Sequence, residues 1–119
     1  MTSRGILEQA VLHIKPGLEN DFEAAFATAQ GLISGMPGFI ALELSRGIER
    51  PGSYLLLVRW HSLEDHEIGF RGSAEYQQWR ALLHHFYEPF PVMEHYSDIS
   101  RARRWGSPTS GDAAAPAES

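Results

Sequence analysis

The chain of 119 residues contains no cysteine. That absence excludes a disulfide framework, thiolate zinc sites, iron–sulfur clusters and cysteine nucleophiles, so any chemistry falls to other groups. No apolar run approaches the roughly 18 residues that cross a bilayer. The opening Met-Thr-Ser-Arg-Gly is not followed by the apolar stretch of a secretory signal. A cytoplasmic protein with no membrane partner is expected. Basic charge is scarce too, with 10 Lys and Arg against 15 Asp and Glu and a formal net charge of -5. Residues 1–99 carry 7 of these bases and 13 of these acids. The stripe of cations that neutralises phosphates is missing, which argues against nucleic acid as a partner.

What is present suits one folded domain: 43% apolar and 21% charged residues are ordinary for a globular chain. From Ser100 onward Ser, Ala, Pro and Gly fill 13 of 20 positions. So little apolar surface does not offset the entropy of ordering the chain. Residues 1–99 are therefore expected to form the domain and 100–119 a disordered C-terminal tail.

Ile6 to Ile14 alternates like a strand, with Ile6, Ala10, Leu12 and Ile14 on one face and Leu7, Val11 and His13 on the other. After Pro16-Gly17, Leu18, Phe22, Phe26, Ala29, Leu32 and Ile33 recur at helical spacing, with acids in the first turn and Gly35 and Pro37 as the stop. Phe39–Arg46 and Tyr54–His61 read as an antiparallel hairpin, the second strand central and buried on both sides. Ser62 caps a short helical turn, and Gly69 and Gly72 interrupt it. Ser73 then caps a helix striped by Tyr76, Trp79, Leu82, Leu83 and Phe86. Val92–Ile99 is the last strand. The order βαββαβ predicts an α+β, ferredoxin-like fold, a four-stranded antiparallel sheet with both helices on one face. Leu7, Val11, Leu55 and Leu57 would then lie uncovered, a patch that a homodimer through the open sheet face would bury.

Glu8, Gln9, Glu43, Arg59, Glu94 and His95 interrupt the strands, and buried charges need partners. One reading pairs Glu8, Glu43 or Glu94 with Arg59, fixing register; the other lines a polar cavity. Six histidines are present, none at a metal-binding spacing, and His84 and His85 point apart on a helix, so no metal is expected. His66, in the broken helix, and His95, in a strand, are the candidates for a site between helices and sheet. Trp60, Phe70, Tyr76, Trp79, Phe86, Tyr87 and Tyr96 supply either core packing or the wall of a pocket for a flat aromatic ligand.

The run LEQAVLHIKPGLENDFEAAF, followed by MPGFIALELSRGIERPGSYLLLVRWHSLEDHEIGFRGSAEYQQWRALLHHFYEPFPVMEHY, resembles the antibiotic biosynthesis monooxygenase family of dimeric α/β barrel proteins over nearly all of residues 6–99. The strand leading into KPG, the PGF before the second strand, and Trp60 followed by SLEDHE carry the likeness through their order and spacing. The resemblance implies a small homodimer with a cavity in each subunit. Some such relatives oxidise polycyclic aromatics with molecular oxygen and no metal or flavin; others degrade haem. The haem-degrading pattern is missing: Ala10, Gly69 or Phe70, and Trp79 or Arg80 stand where the resemblance would require asparagine, tryptophan and a histidine ligand. His84 or His85 remains as a conceivable haem ligand. On the cofactor-independent alternative His66 or His95 serves as base, Arg80 or Tyr76 stabilises an anion, and Trp60 and Trp79 with Tyr76 contact the substrate. The rival from another class is a dimeric ligand-binding or stress-associated protein without catalysis.

Overall fold

A computed structural model describes residues 5–102, so the expected tail lies outside the described residues from 103 onward. Along the chain come β1 (Ile6–His13), α1 (Glu19–Ser34), β2 (Phe39–Arg46), β3 (Ser53–Trp60), a π-helical turn (Asp65–Phe70), α2 (Ala74–Leu83), a 3-10 turn (His84–Phe86) and β4 (Glu94–Ser97). The strands form one antiparallel sheet in the order β2-β3-β1-β4. The expected ferredoxin-like α+β fold is therefore present, with both helices on one face.

Alternation along β1 and β3 decides which side chains the helices cover. Ala10, Leu12 and Ile14 of the first segment and Tyr54, Leu56, Val58 and Trp60 of β3 are buried against Phe22, Phe26, Ala29 and Ile33 of α1 and Trp79 and Leu83 of α2. Successive strand residues point to opposite sides, so Val11 and Leu55 remain 38% and 37% exposed on the uncovered face. β3 is central, yet it is not covered on both sides within one chain. The hairpin β2–β3 carries an irregularity between Phe39 and Ala41.

Both serine caps form. Ser62 Oγ accepts from the Asp65 amide at 3.2 Å, and Ser73 Oγ accepts from the Tyr76 amide at 3.1 Å. Between them the Arg71 amide donates to the His66 carbonyl, the five-residue step that widens the turn into a π form. This turn docks on Gly38, whose φ of +86° suits glycine and where a Cβ would run into Asp65.

The last strand is shorter than the sequence pattern predicts. Pro89 and Pro91 offer no amide hydrogens to a ladder, and β4 pairs only with Ile6–Gln9 of β1. Beyond that point the chain is tied by single contacts, the Glu88 amide donating to the His13 carbonyl and the Lys15 amide to the Phe86 carbonyl.

Candidate active site

Position 8 has the same strand parity as Ala10 and Leu12, so β1 delivers the Glu8 carboxyl to the helix-covered side, where it is 3% exposed. The indole Nε1 of Trp60 donates to Glu8 Oε1 at 3.0 Å. The π-helical turn brings down His66, also 3% exposed, with Nε2 3.4 Å from Glu8 Oε2 and its ring stacked on Trp60 at 5.6 Å. The β1–β4 register sets His95 opposite Glu8, and the half-buried His95 Nε2 lies 2.9 Å from His66 Nδ1. Two candidates far apart in sequence thus meet, and a carboxyl group joins them.

Charge is disfavoured on Glu8 and on His66. Burial pushes Glu8 up to about 7 against the opposing pull of the Trp60 hydrogen bond and the Arg71 charge. Burial, then His95 and Arg71, push His66 down to about 4. The 3.4 Å contact of Glu8 and His66 is accordingly not an ion pair near neutral pH but a neutral imidazole beside a carboxyl that titrates there.

Glu8 and His66 line a cavity of about 20 Å³ together with Arg71, Phe70, Tyr76, Trp79, Tyr87 and Met93 and the aliphatic side chains of Leu12, Ile33, Leu56, Val58 and Leu83. Space of that size holds about one water. Trp79 meets Phe26 and Phe70 edge-on at 5.7 and 5.6 Å, and Phe70 meets Tyr76 at 5.2 Å. The Arg71 guanidinium sits 5.9 Å over the Tyr76 ring.

Of the residues singled out from sequence, Tyr76 and Trp79 line the cavity, while Trp60 lies behind it and holds Glu8 and His66. Arg80 does not reach it: the side chain is exposed on α2, 3.4 Å from Gln77. Arg71 is the cation in the lining, and the sequence reading missed it. Glu8 does not pair with Arg59; that guanidinium bonds Asp98 at 3.1 Å on the opposite side of the sheet, and Glu43 and Glu94 are exposed. The parity of β1 was the available signal for Glu8. Among the described residues no cluster of His, Asp and Glu could hold a metal.

His84, a conceivable haem ligand, is half-buried against Tyr76, Tyr87 and Phe90, with ring separations of 5.9, 5.5 and 5.0 Å. Its Nε2 is buried without a hydrogen-bond partner, and burial, aided by Arg80 and Arg71, pushes its pKa down to about 4. His84 is packed among these rings and is not part of the cavity lining, so it presents no ligand to that space.

The fold and this buried polar cluster define an α+β domain with a small aromatic cavity between sheet and helices. The chain belongs to the antibiotic biosynthesis monooxygenase family, whose model matches residues 5–82. It is 57% identical over 94 residues to the uncharacterized protein YczJ of Bacillus subtilis strain 168, covering 79% of this chain and 99% of that one. A crystal structure from Bordetella bronchiseptica assigned to the same family superposes with a TM-score of 0.77 at 35% identity, covering 81% of this chain and 98% of the other. SnoaB from Streptomyces nogalater, described as a cofactor-independent oxygenase, shares the fold with a TM-score of 0.66 at 17% identity over 85% of this chain and 97% of its own. No helix among the described residues is long and apolar enough to cross a membrane.

Proposed function

We propose that the protein is a monooxygenase that oxidises a small aromatic substrate, of hydroquinone or anthrone type, with molecular oxygen and no bound cofactor. One observation carries this reading: a buried carboxyl group that titrates near neutrality faces an aromatic cavity beside a neutral imidazole. Such a carboxylate is matched to removing a proton from a phenol or an activated methylene. Arg71 supplies positive charge to the resulting anion, Tyr76 and Trp79 flank the ring, and the aliphatic lining excludes water. The electron-rich anion reduces oxygen directly. For an anthrone, one oxygen atom becomes the new carbonyl and the other leaves as water with the two methylene hydrogens.

The cavity of about 20 Å³ requires side chains to move before a ring is admitted. Arg71, exposed, and Tyr76 and Met93, half-buried, are the less enclosed members of its lining. Within the same reading the protein is cytoplasmic and works as a homodimer through the open sheet face.

Oxygen uptake with a panel of hydroquinones and anthrones tests the proposal. One oxygen molecule consumed per anthrone is expected, with a loss of about 100-fold or more in Glu8→Gln, the usual weight of a general base. No uptake across the panel overturns it. The small cavity favours a second reading, a dimeric ligand-binding protein without catalysis; quenching of tryptophan fluorescence by the same aromatics, without oxygen uptake, identifies that case.

A further inference from the structure

Glu8, His66 and His95 arrive from three separate elements, β1, the π-helical turn and β4, with His66 in contact with each of the other two. We propose that they form a proton relay joining the buried Glu8 end of the cavity to solvent at the β4 edge, with Glu8 exchanging a proton with the ligand and His95 exchanging one with water. The identity of the ligand rests on the function proposed above; the relay itself rests on geometry alone.

Trp60 occupies Glu8 Oε1, which leaves Oε2 to face His66 Nε2 at 3.4 Å. His66 Nδ1 then meets His95 Nε2 at 2.9 Å. Two proton arrangements satisfy these contacts without charging His66. In one, the Glu8 carboxyl donates to His66 Nε2, His66 Nδ1–H donates to His95 Nε2, and His95 carries its other hydrogen on Nδ1. In the other, the Glu8 carboxylate accepts from His66 Nε2–H, and His66 Nδ1 accepts from His95 Nε2–H. Passing from the first to the second moves a proton one step along each contact and releases one from His95 Nδ1 to water. The reverse passage takes one up and restores both tautomers.

The chain of contacts answers a need that the cavity creates. Glu8 and His66 line it, whereas His95 does not, and β4 is the edge strand on which His95 is half-buried. A proton removed from an enclosed ligand has no bulk water to receive it, and a peroxide formed later needs one back. The groups facing the relay are Trp60 from β3 and Arg71 after the π-helical turn, with Tyr76 of α2 and Tyr87 across the cavity.

Histidine ring nitrogens of the full chain, labelled with ¹⁵N and followed by NMR from pH 5 to 9, test the relay without substrate. The expected result is that His66 and His95 change from the Nδ1–H to the Nε2–H tautomer together as Glu8 ionises near pH 7. In Glu8→Gln both should keep one tautomer over the whole range. In His95→Gln, an edge-strand change that leaves Glu8 and Trp60 in place, exchange of the His66 ring hydrogen with water should slow at least tenfold. A His66 tautomer that never changes in the native chain, or one that changes equally in Glu8→Gln, overturns the relay. A coupled change without oxygen uptake keeps the relay and defeats the oxygenase; uptake with fixed tautomers does the opposite.

Discussion

Leu7 and Glu8 are neighbours in β1 that face opposite sides of one sheet, and the two sides treat polar groups differently. On the helix-covered side the Glu8 carboxyl is 3% exposed, bonded to an indole and set against a neutral histidine. On the uncovered side Arg59 and Asp98 form an ordinary ion pair at 3.1 Å, with Glu43 and Glu94 in contact with solvent. The Arg59 pair holds Asp98 below its usual carboxylate range through the hydrogen bond it donates, whereas burial drives Glu8 the other way. Water screens and solvates the first pair; the second is buried away from bulk water and lowers its energy by staying neutral. The chemical role proposed above falls on the side that denies its acid a charge. On the uncovered side, where the dimer contact is proposed, Leu7, Leu57 and Arg59 surround a shallow hollow of about 130 Å³.

Truncation of the shared wall should break the contrast most severely. Trp60 is fully buried, touches both Glu8 and His66, and Trp60→Ala should cost about 3–5 kcal/mol in urea unfolding. Next comes the pH dependence of the covered side. Glu8 is neutral more readily in the folded chain than in the unfolded one, so the stability it contributes is full below pH 4.5 and is lost as the pH rises through about 7. The shift from 4.5 to about 7 corresponds to about 3 kcal/mol. His66 acts oppositely: its folded pKa is depressed, so its contribution is present above 6.5 and lost as the pH falls towards 4. The two slopes offset each other between pH 4.5 and 6.5, so stability should be level there and fall only from 6.5 to about 7. Glu8→Gln should instead show the His66 rise from pH 4 to 6.5 with no fall after it; a native chain with that same uncompensated rise contradicts this.

Smaller effects test the placement of the π-helical turn and the open side. Gly38→Ala forces a side chain into a left-handed backbone against Asp65 and should cost about 1–3 kcal/mol. Loss of activity at lower denaturant than global unfolding would locate the damage in that turn. Arg59→Ala removes a partly exposed ion pair and should change stability by less than about 1 kcal/mol. On the same side, Leu55→Glu should leave the fold intact while sedimentation at low micromolar concentration shifts from dimer to monomer. A native chain that sediments as a compact monomer removes the need for that interface.

Most of the architecture was legible in the chain. Alternation in β1, the acids ahead of Phe22 and the caps Ser62 and Ser73 are local signals, and the elements they predict are present. The length of β4 was less legible, because Pro89 and Pro91 end a ladder only when a neighbouring strand is there to be paired. The site was half legible. His66 and His95 stood out as polar groups in apolar surroundings, but their 2.9 Å contact spans 29 positions and depends on the β1–β4 register. Arg80 was expected as an anion stabiliser, yet one step along a helix turns a side chain by about 100°, so next to Trp79 it lies outside the cavity that Arg71 lines.

The sequence by itself determined the order of elements, the apolar stripes and which strand residues share a face, since each follows from the short periods of helix and strand. Only the tertiary structure decided that Glu8 rather than Glu43 or Glu94 is the acid that loses its charge. That choice depends on which side of the sheet the helices cover and on how far the surrounding packing removes water from one carboxyl group, and neither quantity is a property of neighbours in the chain.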